Sequence, residues 1–323
     1  MTELVTFGET ALKLSPAGGQ RLETARSLDV WADGVASNVA VAASRLGTET
    51  TWTSKLTDTP LGRRAVSELR GHGITTDVSW TDPERARQGL TFFEQGRQPR
   101  QDYVLDDRAG TAIESAEAGD LPMEAVQDAG AVFVSGETVG LSETAAETAG
   151  AFLRAASGAA VLGLDYRPAL WPPDEARETL VDLFPAVDVL VANEDEAQTV
   201  LGMSGSGPEI AHQIGAEHDF ETVVITQGSR GALVWHDATI HERDALETDP
   251  VDVSGQHDAF TGAYVGQRLA GEPVRGALAH GVAAAALART IEGPVPAVDP
   301  SEVERLVDTM DAGSGGSPGG PLR

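Results

Sequence analysis

Along the chain, short and mainly apolar runs rich in β-branched residues alternate with longer stretches in which alanine and leucine recur at helical spacing. Leu4 to Phe7, Ala131 to Val134, Val161 to Leu164, Val187 to Val191 and Val223 to Ile225 have the length and content of strands covered on both faces. Between them the spacing predicts helices over 36–46, 61–71, 142–156, 174–183, 194–201, 259–269 and 275–291. Strands alternating with helices of about ten residues or more imply right-handed crossovers and a mainly parallel sheet with helices on both sides. The expected fold class is therefore α/β, doubly wound. Two stretches break the alternation, 11–33 and 85–112, where polar residues interleave with Leu90-Thr91-Phe92-Phe93 and Tyr103-Val104-Leu105. They read as amphipathic strands of a small β lid beside the main sheet. The expected organisation is one domain over 1–312 and a flexible Gly/Ser/Pro tail over 313–323. A Gly-x-Ser-x-Gly match centred on Ser317 falls in that tail, without the strand and helix that a nucleophile elbow needs.

Composition narrows the class further. With 323 residues, 41% of them hydrophobic and 23% charged, the chain can bury a full core. Cysteine is absent, which removes zinc ribbons, thiol nucleophiles and redox dithiols. No apolar run approaches the roughly 18 residues of a bilayer span, and Met1-Thr2-Glu3 does not begin a basic and then apolar leader, so the expected setting is cytoplasmic. Fifty Asp and Glu against 23 Lys and Arg leave a formal charge of -27. The acids are dispersed, with Glu194-Asp195-Glu196 the longest unbroken run, and such a surface repels phosphate backbones. Only Lys13 and Lys55 are lysines. In dilute buffer this charge strains the compact state, whereas at molar salt the Debye length falls to about 3 Å and the repulsion is screened. The composition thus points to a high-salt, halophilic cytoplasm.

Several familiar sites are missing. The first strand is followed by Gly8-Glu9-Thr10 rather than Gly-x-Gly-x-x-Gly, which disfavours a dinucleotide fold. Neither lysine follows a glycine, so there is no Walker loop. The pairs His212/His218 and His236/His241 lack the spacing of metal ligands on one helix face. The informative segment is Asp252-Val253-Ser254-Gly255-Gln256-His257-Asp258-Ala259, a glycine turn entering a helix. Such a turn aims free N–H groups and the positive helix end at one point, suited to a phosphate. Asp258 beside it can accept a proton from an attacking hydroxyl, or can serve simply as a helix cap.

With this segment the chain resembles the PfkB (ribokinase-like) carbohydrate kinases, whose other elements follow in order. Asp33-Gly34-Val35-Ala36-Ser37-Asn38, with Arg45-Leu46-Gly47 closing the helix, is similar to the family's first signature. Asp58-Thr59-Pro60-Leu61-Gly62 matches its Asp-x-x-x-Gly turn, Asn193-Glu194-Asp195-Glu196 its Asn-x-x-Glu element, and Thr226-Gln227-Gly228-Ser229-Arg230-Gly231 its nucleotide-side loop. The resemblance covers residues 4 to about 308. Independently of it, the chain's only two asparagines, Asn38 and Asn193, both fall in these segments. The family's Gly-Ala-Gly-Asp stands here as Gly255-Gln256-His257-Asp258, and Val282 occupies the place of an Asn near the adenine.

Within the family the chain resembles the 2-keto-3-deoxygluconate kinases, through Glu9, Asp165-Tyr166-Arg167-Pro168-Ala169-Leu170-Trp171 and Asp107-Arg108-Ala109-Gly110-Thr111-Ala112. Where that group carries tyrosines this chain has Asp106-Asp107. A keto acid presents a carboxylate that a guanidinium fork binds with two parallel hydrogen bonds. The resemblance implies transfer of the γ-phosphoryl of ATP to a sugar-acid hydroxyl, giving the 6-phosphate. Asp258 would be the base, and Gly255, Gln256 and His257 would complete the anion hole. Gly34, Asn38, Arg108 and Arg167 would hold substrate, the two arginines sharing its carboxylate. Asn193, Thr226, Gly228 and Gly231 would hold nucleotide, and Glu196 would hold Mg²⁺ through water. The expected assembly is a homodimer through the lid. A kinase of a neutral sugar such as fructose is the alternative if Arg108 and Arg167 pair with protein acids, and a non-catalytic sugar-binding relative is another.

Overall fold

The alternation read from the sequence winds the chain around one nine-stranded sheet. The computed structural model describes residues 2–314. In chain order the strands are β1 Leu4–Phe7, β2 Ala11–Ser15, β3 Asp29–Asp33, β4 Thr50–Thr57, β5 Thr75–Thr81, β6 Leu90–Glu94 and β7 Tyr103–Asp107. They continue with β8 Ala131–Ser135, β9 Ala159–Gly163, β10 Val189–Asn193, β11 Thr222–Thr226, β12 Ala232–His236 and β13 Thr239–Arg243. The helices are α1 Val35–Arg45, α2 Pro60–Gly71, α3 Met123–Asp128, α4 Gly136–Val139, α5 Glu143–Ala155 and α6 Pro173–Leu183. After these come α7 Glu194–Thr199, α8 Gly207–His218, α9 Gln256–Leu269, α10 Val274–Ala288 and α11 Pro300–Ser314. Gly313 and Ser314 therefore close a helix rather than begin the tail, and the rest of that tail, with the match at Ser317, lies outside the described residues.

The main sheet has the order β13-β12-β11-β10-β9-β8-β1-β4-β5 and is parallel from β5 through β11. Its central strands are buried on both faces by alternation: Val5 and Phe7 face one core while Leu4 faces the other, and Val132 and Val134 are opposed in the same way by Phe133. Phe152, Leu180 and Ile210 of α5, α6 and α8 cover the first face. Val39, Phe260 and Leu278 of α1, α9 and α10 cover the second. The two irregular stretches form the expected lid, a separate sheet of order β3-β2-β6-β7. Among the described residues no helix is long and apolar enough to cross a membrane.

The connection after β1 leads to β4 on one side, while β8 lies on the other. This reversal of strand order opens a crevice at the carboxyl ends of the strands, the position where sheets of this kind take ligands.

Candidate active site

Register places the carboxyl ends side by side: Phe7 pairs with Val134, Ser135 with Gly163, and Asn193 with Thr226. The residues that follow these strands, Glu9, Glu137, Asp165, Arg167 and Glu196, consequently line one edge, and the lid and α9 face it.

Asp258 lies in the first turn of α9, whose N-cap is Gly255 and which has no side-chain cap. The carboxylate does not act as a cap. Its Oδ2 accepts a hydrogen bond from Asn38 Nδ2 at 2.8 Å, and the same amide donates to Asp33 Oδ1 at 3.1 Å. Asn38 is fully buried, and its Oδ1 has no partner. It reaches Asp258 because Gly34 starts α1 tight against the turn after β1, where a Cβ on Gly34 would lie 2.1 Å from the Glu9 carbonyl oxygen. Burial pushes the Asp258 carboxyl up to about 8. Asp33 and Glu137 repel its charge further, while the Asn38 hydrogen bond and Arg167 oppose the rise. A carboxyl so placed is matched to accepting a proton near neutral pH.

Gln256 and His257 turn toward the neighbouring cavity rather than away from it. His257 Nδ1 shares a hydrogen bond with Thr226 Oγ1 at 3.2 Å, and its Nε2 lies 3.5 Å from Asp165 Oδ1. Burial lowers the ring to about 4, so it is neutral around pH 7.

This cavity, of about 330 Å³, is lined by Asn193, Thr226, Gly228, Gly231, His257 and Val282, among others, so the four residues expected at the nucleotide stand together. Gly231 has φ 106°, and a Cβ there would lie 2.0 Å from the Arg243 carbonyl oxygen, which confines the loop to glycine. Asn193 and Glu196 form a capping box at α7. Glu196 Oε2 accepts from Asn193 N at 2.9 Å, and Oε1 accepts from Tyr166 N at 3.1 Å. Burial nevertheless raises Glu196 to about 7. Its neighbour Asp165 is buried, left-handed at φ 38° and raised well above the usual carboxylate range, first by burial and then by Glu196, Asp258 and Glu137. Asp165 Oδ2 has no hydrogen-bond donor. Among the described residues no three His, Asp or Glu side chains converge as direct ligands. An orphaned buried carboxylate oxygen beside a second acid still fits a hydrated Mg²⁺, held through water.

The arginines are arranged differently from expectation. Arg108 and Arg167 do share a carboxylate, but it belongs to Glu137, on the short helix α4. Arg108 Nη1 donates to Glu137 Oε1. Arg167 Nε and Nη2 donate to Glu137 Oε2 at 3.1 and 2.9 Å. Arg108 also lies 3.0 Å from Glu9 and 3.3 Å from Asp106 and is 8% exposed, so among the site residues it behaves as a structural cation rather than a free fork. Arg167 is 42% exposed. Burial alone would raise Glu137, but Arg167 and Arg108 outweigh it and hold the carboxyl at about 2. Glu137 escaped the sequence reading, and its one signal there is an acid immediately after an apolar strand, in Ser135-Gly136-Glu137.

A mainly parallel sheet with a β lid, an acid at the head of a helix and a nucleotide-sized cavity beside it define a carbohydrate kinase of the ribokinase-like fold. The profile of the pfkB family carbohydrate kinases matches residues 1–300, and the chain belongs to that family. It is 50% identical over 314 residues to 2-dehydro-3-deoxygalactonokinase of Haloferax volcanii, with 96% of this chain and 98% of that one covered. The crystal structure of 2-dehydro-3-deoxygluconokinase from Thermotoga maritima has a TM-score of 0.89 at 30% identity, covering 95% of this chain and 98% of the other. Fructokinase with bound ATP from Xylella fastidiosa shares the fold, with a TM-score of 0.84, 19% identity, and 96% and 100% covered.

Proposed function

We propose that this kinase phosphorylates the terminal hydroxyl of a 2-keto-3-deoxy sugar acid, with ATP as donor. The sequence resembles kinases of the gluconate acid, and the Haloferax relative is named for the galactonate epimer, so the substrate class is the 2-keto-3-deoxyhexonates. The observation that carries the class is the 50% identity, over nearly the whole of both chains, to a kinase named for such an acid. The site supports it through Arg167, the half-exposed cation at the crevice.

In this reading Asp258 accepts the proton of the attacking hydroxyl, and Asn38 orients its carboxylate through the 2.8 Å hydrogen bond. The N–H groups at the start of α9 receive the transferring phosphoryl group, as helix N-termini receive anions. Gly34 keeps α1 close enough to close the sugar pocket, and Arg167 takes the substrate carboxylate. Asn193, Thr226, Gly228 and Gly231 bound the nucleotide cavity. Glu196 and Asp165 would hold Mg²⁺ through water, and the ion would supply neutralisation of the nucleotide phosphates. Catalysis of this kind consists mostly of positioning and electrostatic stabilisation, so a lid that excludes water belongs to it. We also propose that the lid pairs in a homodimer. Supporting this, Tyr103, Val104 and Leu105 are 54%, 48% and 49% exposed on β7, an edge strand of the lid.

The pairing of both arginines with Glu137 favours a second reading, a kinase of neutral sugars. The variant Arg167→Lys separates the two. A point charge does not reproduce bidentate geometry, so KM for the sugar acid should rise about 10- to 100-fold, the equivalent of one charge-assisted hydrogen bond. KM for ATP should stay within about three-fold, because Arg167 lies outside the nucleotide cavity. An unchanged KM for the acid would favour the neutral-sugar reading.

A further inference from the structure

Glu137 is 2% exposed, ionised and placed between two guanidinium groups that it does not treat alike. Its two oxygens are divided: Oε1 serves Arg108, and Oε2 receives both Nε and Nη2 of Arg167. Arg108 is enclosed by Glu137, Glu9 and Asp106, with Thr91 Oγ1 3.4 Å from its Nη2, and little of it reaches the crevice. Arg167 is held along one edge only. Its Nη1 makes no hydrogen bond among the described residues, and the side chain is 42% exposed. Two donors on one acceptor oxygen hold the Nε/Nη2 edge of the guanidinium against Glu137, so the remaining N–H groups face away from that carboxylate.

The network also spans the site. Arg108 follows the lid strand β7, Glu137 follows β8, Arg167 follows β9 and Glu9 follows β1. Three carboxylates around Arg108 would satisfy it with or without Arg167. Arg167, in contrast, has no carboxylate other than Glu137 within ion-pair distance among the described residues.

We propose that Glu137 is a positioning residue for substrate choice: it holds the Nε/Nη2 edge of Arg167 so that the free Nη1 edge meets the carboxylate of a sugar acid, while Arg108 anchors Glu137. The inference rests on the sugar-acid reading above. It differs from a plain structural ion pair in requiring that the effect of Glu137 pass through Arg167.

The test is a double-variant cycle on Glu137 and Arg167, read as KM and kcat for 2-keto-3-deoxygluconate and its galactonate epimer and as KM for ATP. Glu137→Gln keeps the shape but weakens the hold on Arg167. KM for the acid should rise about ten-fold or more, with KM for ATP changed by less than about three-fold. Placed on Arg167→Lys, the same change should add less than about two-fold, because the group it positions is gone. Should Glu137→Gln leave Arg108 too poorly paired to fold, Glu137→Asp carries the same test. It keeps the charge beside Arg108 and shortens the reach to Arg167, so the same rise in KM is expected. Multiplicative losses in the double variant, or a fall in kcat and ATP affinity equal to the loss on the acid, would overturn the proposal in favour of a structural ion pair. An unchanged KM for the acid in either single variant overturns it as well. A wild-type enzyme that prefers neutral sugars overturns the functional reading itself, and this inference with it.

Discussion

On the proposed reading single side chains decide the chemistry, and Asp258, the proposed base, is the clearest of them. Burial, reinforced by Asp33 and Glu137, makes it costly to ionise, so the folded protein binds its proton more tightly than the unfolded chain, in which a carboxyl titrates near 3.8. Between about pH 4 and 8 each rise in pH therefore removes stability through this group, and the loss is complete above about 8. Asp258→Asn keeps the shape and removes both the proton acceptor and that cost. Turnover should fall about 100- to 10,000-fold. In thermal unfolding without ligands the variant should melt higher than wild type at pH 8 and no higher at pH 4, and near-normal turnover would reduce Asp258 to a packing residue. Asp258, Asn38 and the glycines lining the cavity, Gly228 and Gly231, could be singled out in the sequence because local signatures carry them. Asp33 and Asp165 stand inside those signatures without a role of their own, whereas Glu137 joined the site by register and sheet order, which bring together residues distant in the chain, and no local pattern encodes that. Arg108 shows the same limit from the other side, since its residue type suited a carboxylate and only the structure shows whose carboxylate it meets.

Elements were readable to the degree that they were apolar and periodic. The central strands β1, β8, β9, β10 and β11 lie where the apolar runs fall, because strands buried on both faces must be apolar throughout. β4 and β5 passed unseen: threonine dominates Thr50–Thr57 and polar residues dominate Thr75–Thr81 near the sheet edge, so neither has a continuous apolar run. The hairpin β12–β13 is antiparallel and half exposed, and α8 is marked by its Ser206–Glu209 capping box more than by a strong apolar stripe. The lid was visible as a break in the alternation. Its edge strand β7 supplies the prediction at this scale. Exposed apolar edges invite pairing with another chain. In sedimentation velocity at molar KCl the wild type should run as a dimer, and Leu105→Glu should run as a monomer with its unfolding midpoint shifted by less than about 3 °C. A wild-type monomer at tens of micromolar would remove the lid from the account of assembly.

The molecule as a whole carries a charge of -27 around a crevice that must receive two anions, a nucleotide and, on the proposed reading, a sugar acid. Salt bears on both fold and function. Screening relieves the self-repulsion of the compact state, so the melting temperature should climb by about 10 °C or more between about 0.1 M and 3 M KCl. A flat or falling curve would contradict adaptation to high salt. Screening also lowers the barrier that the acidic surface presents to anionic ligands, leaving local recognition, on the proposed reading, to Arg167 and the head of α9. The measurement that tests the central claim most directly is ADP release by the wild-type enzyme with Mg·ATP in molar KCl, over a panel of both 2-keto-3-deoxyhexonate epimers, fructose and ribose. The account predicts kcat/KM at least about 100-fold higher for one or both acids than for either neutral sugar, in line with a site that reads a charged group. Equal or greater efficiency on fructose or ribose would contradict it.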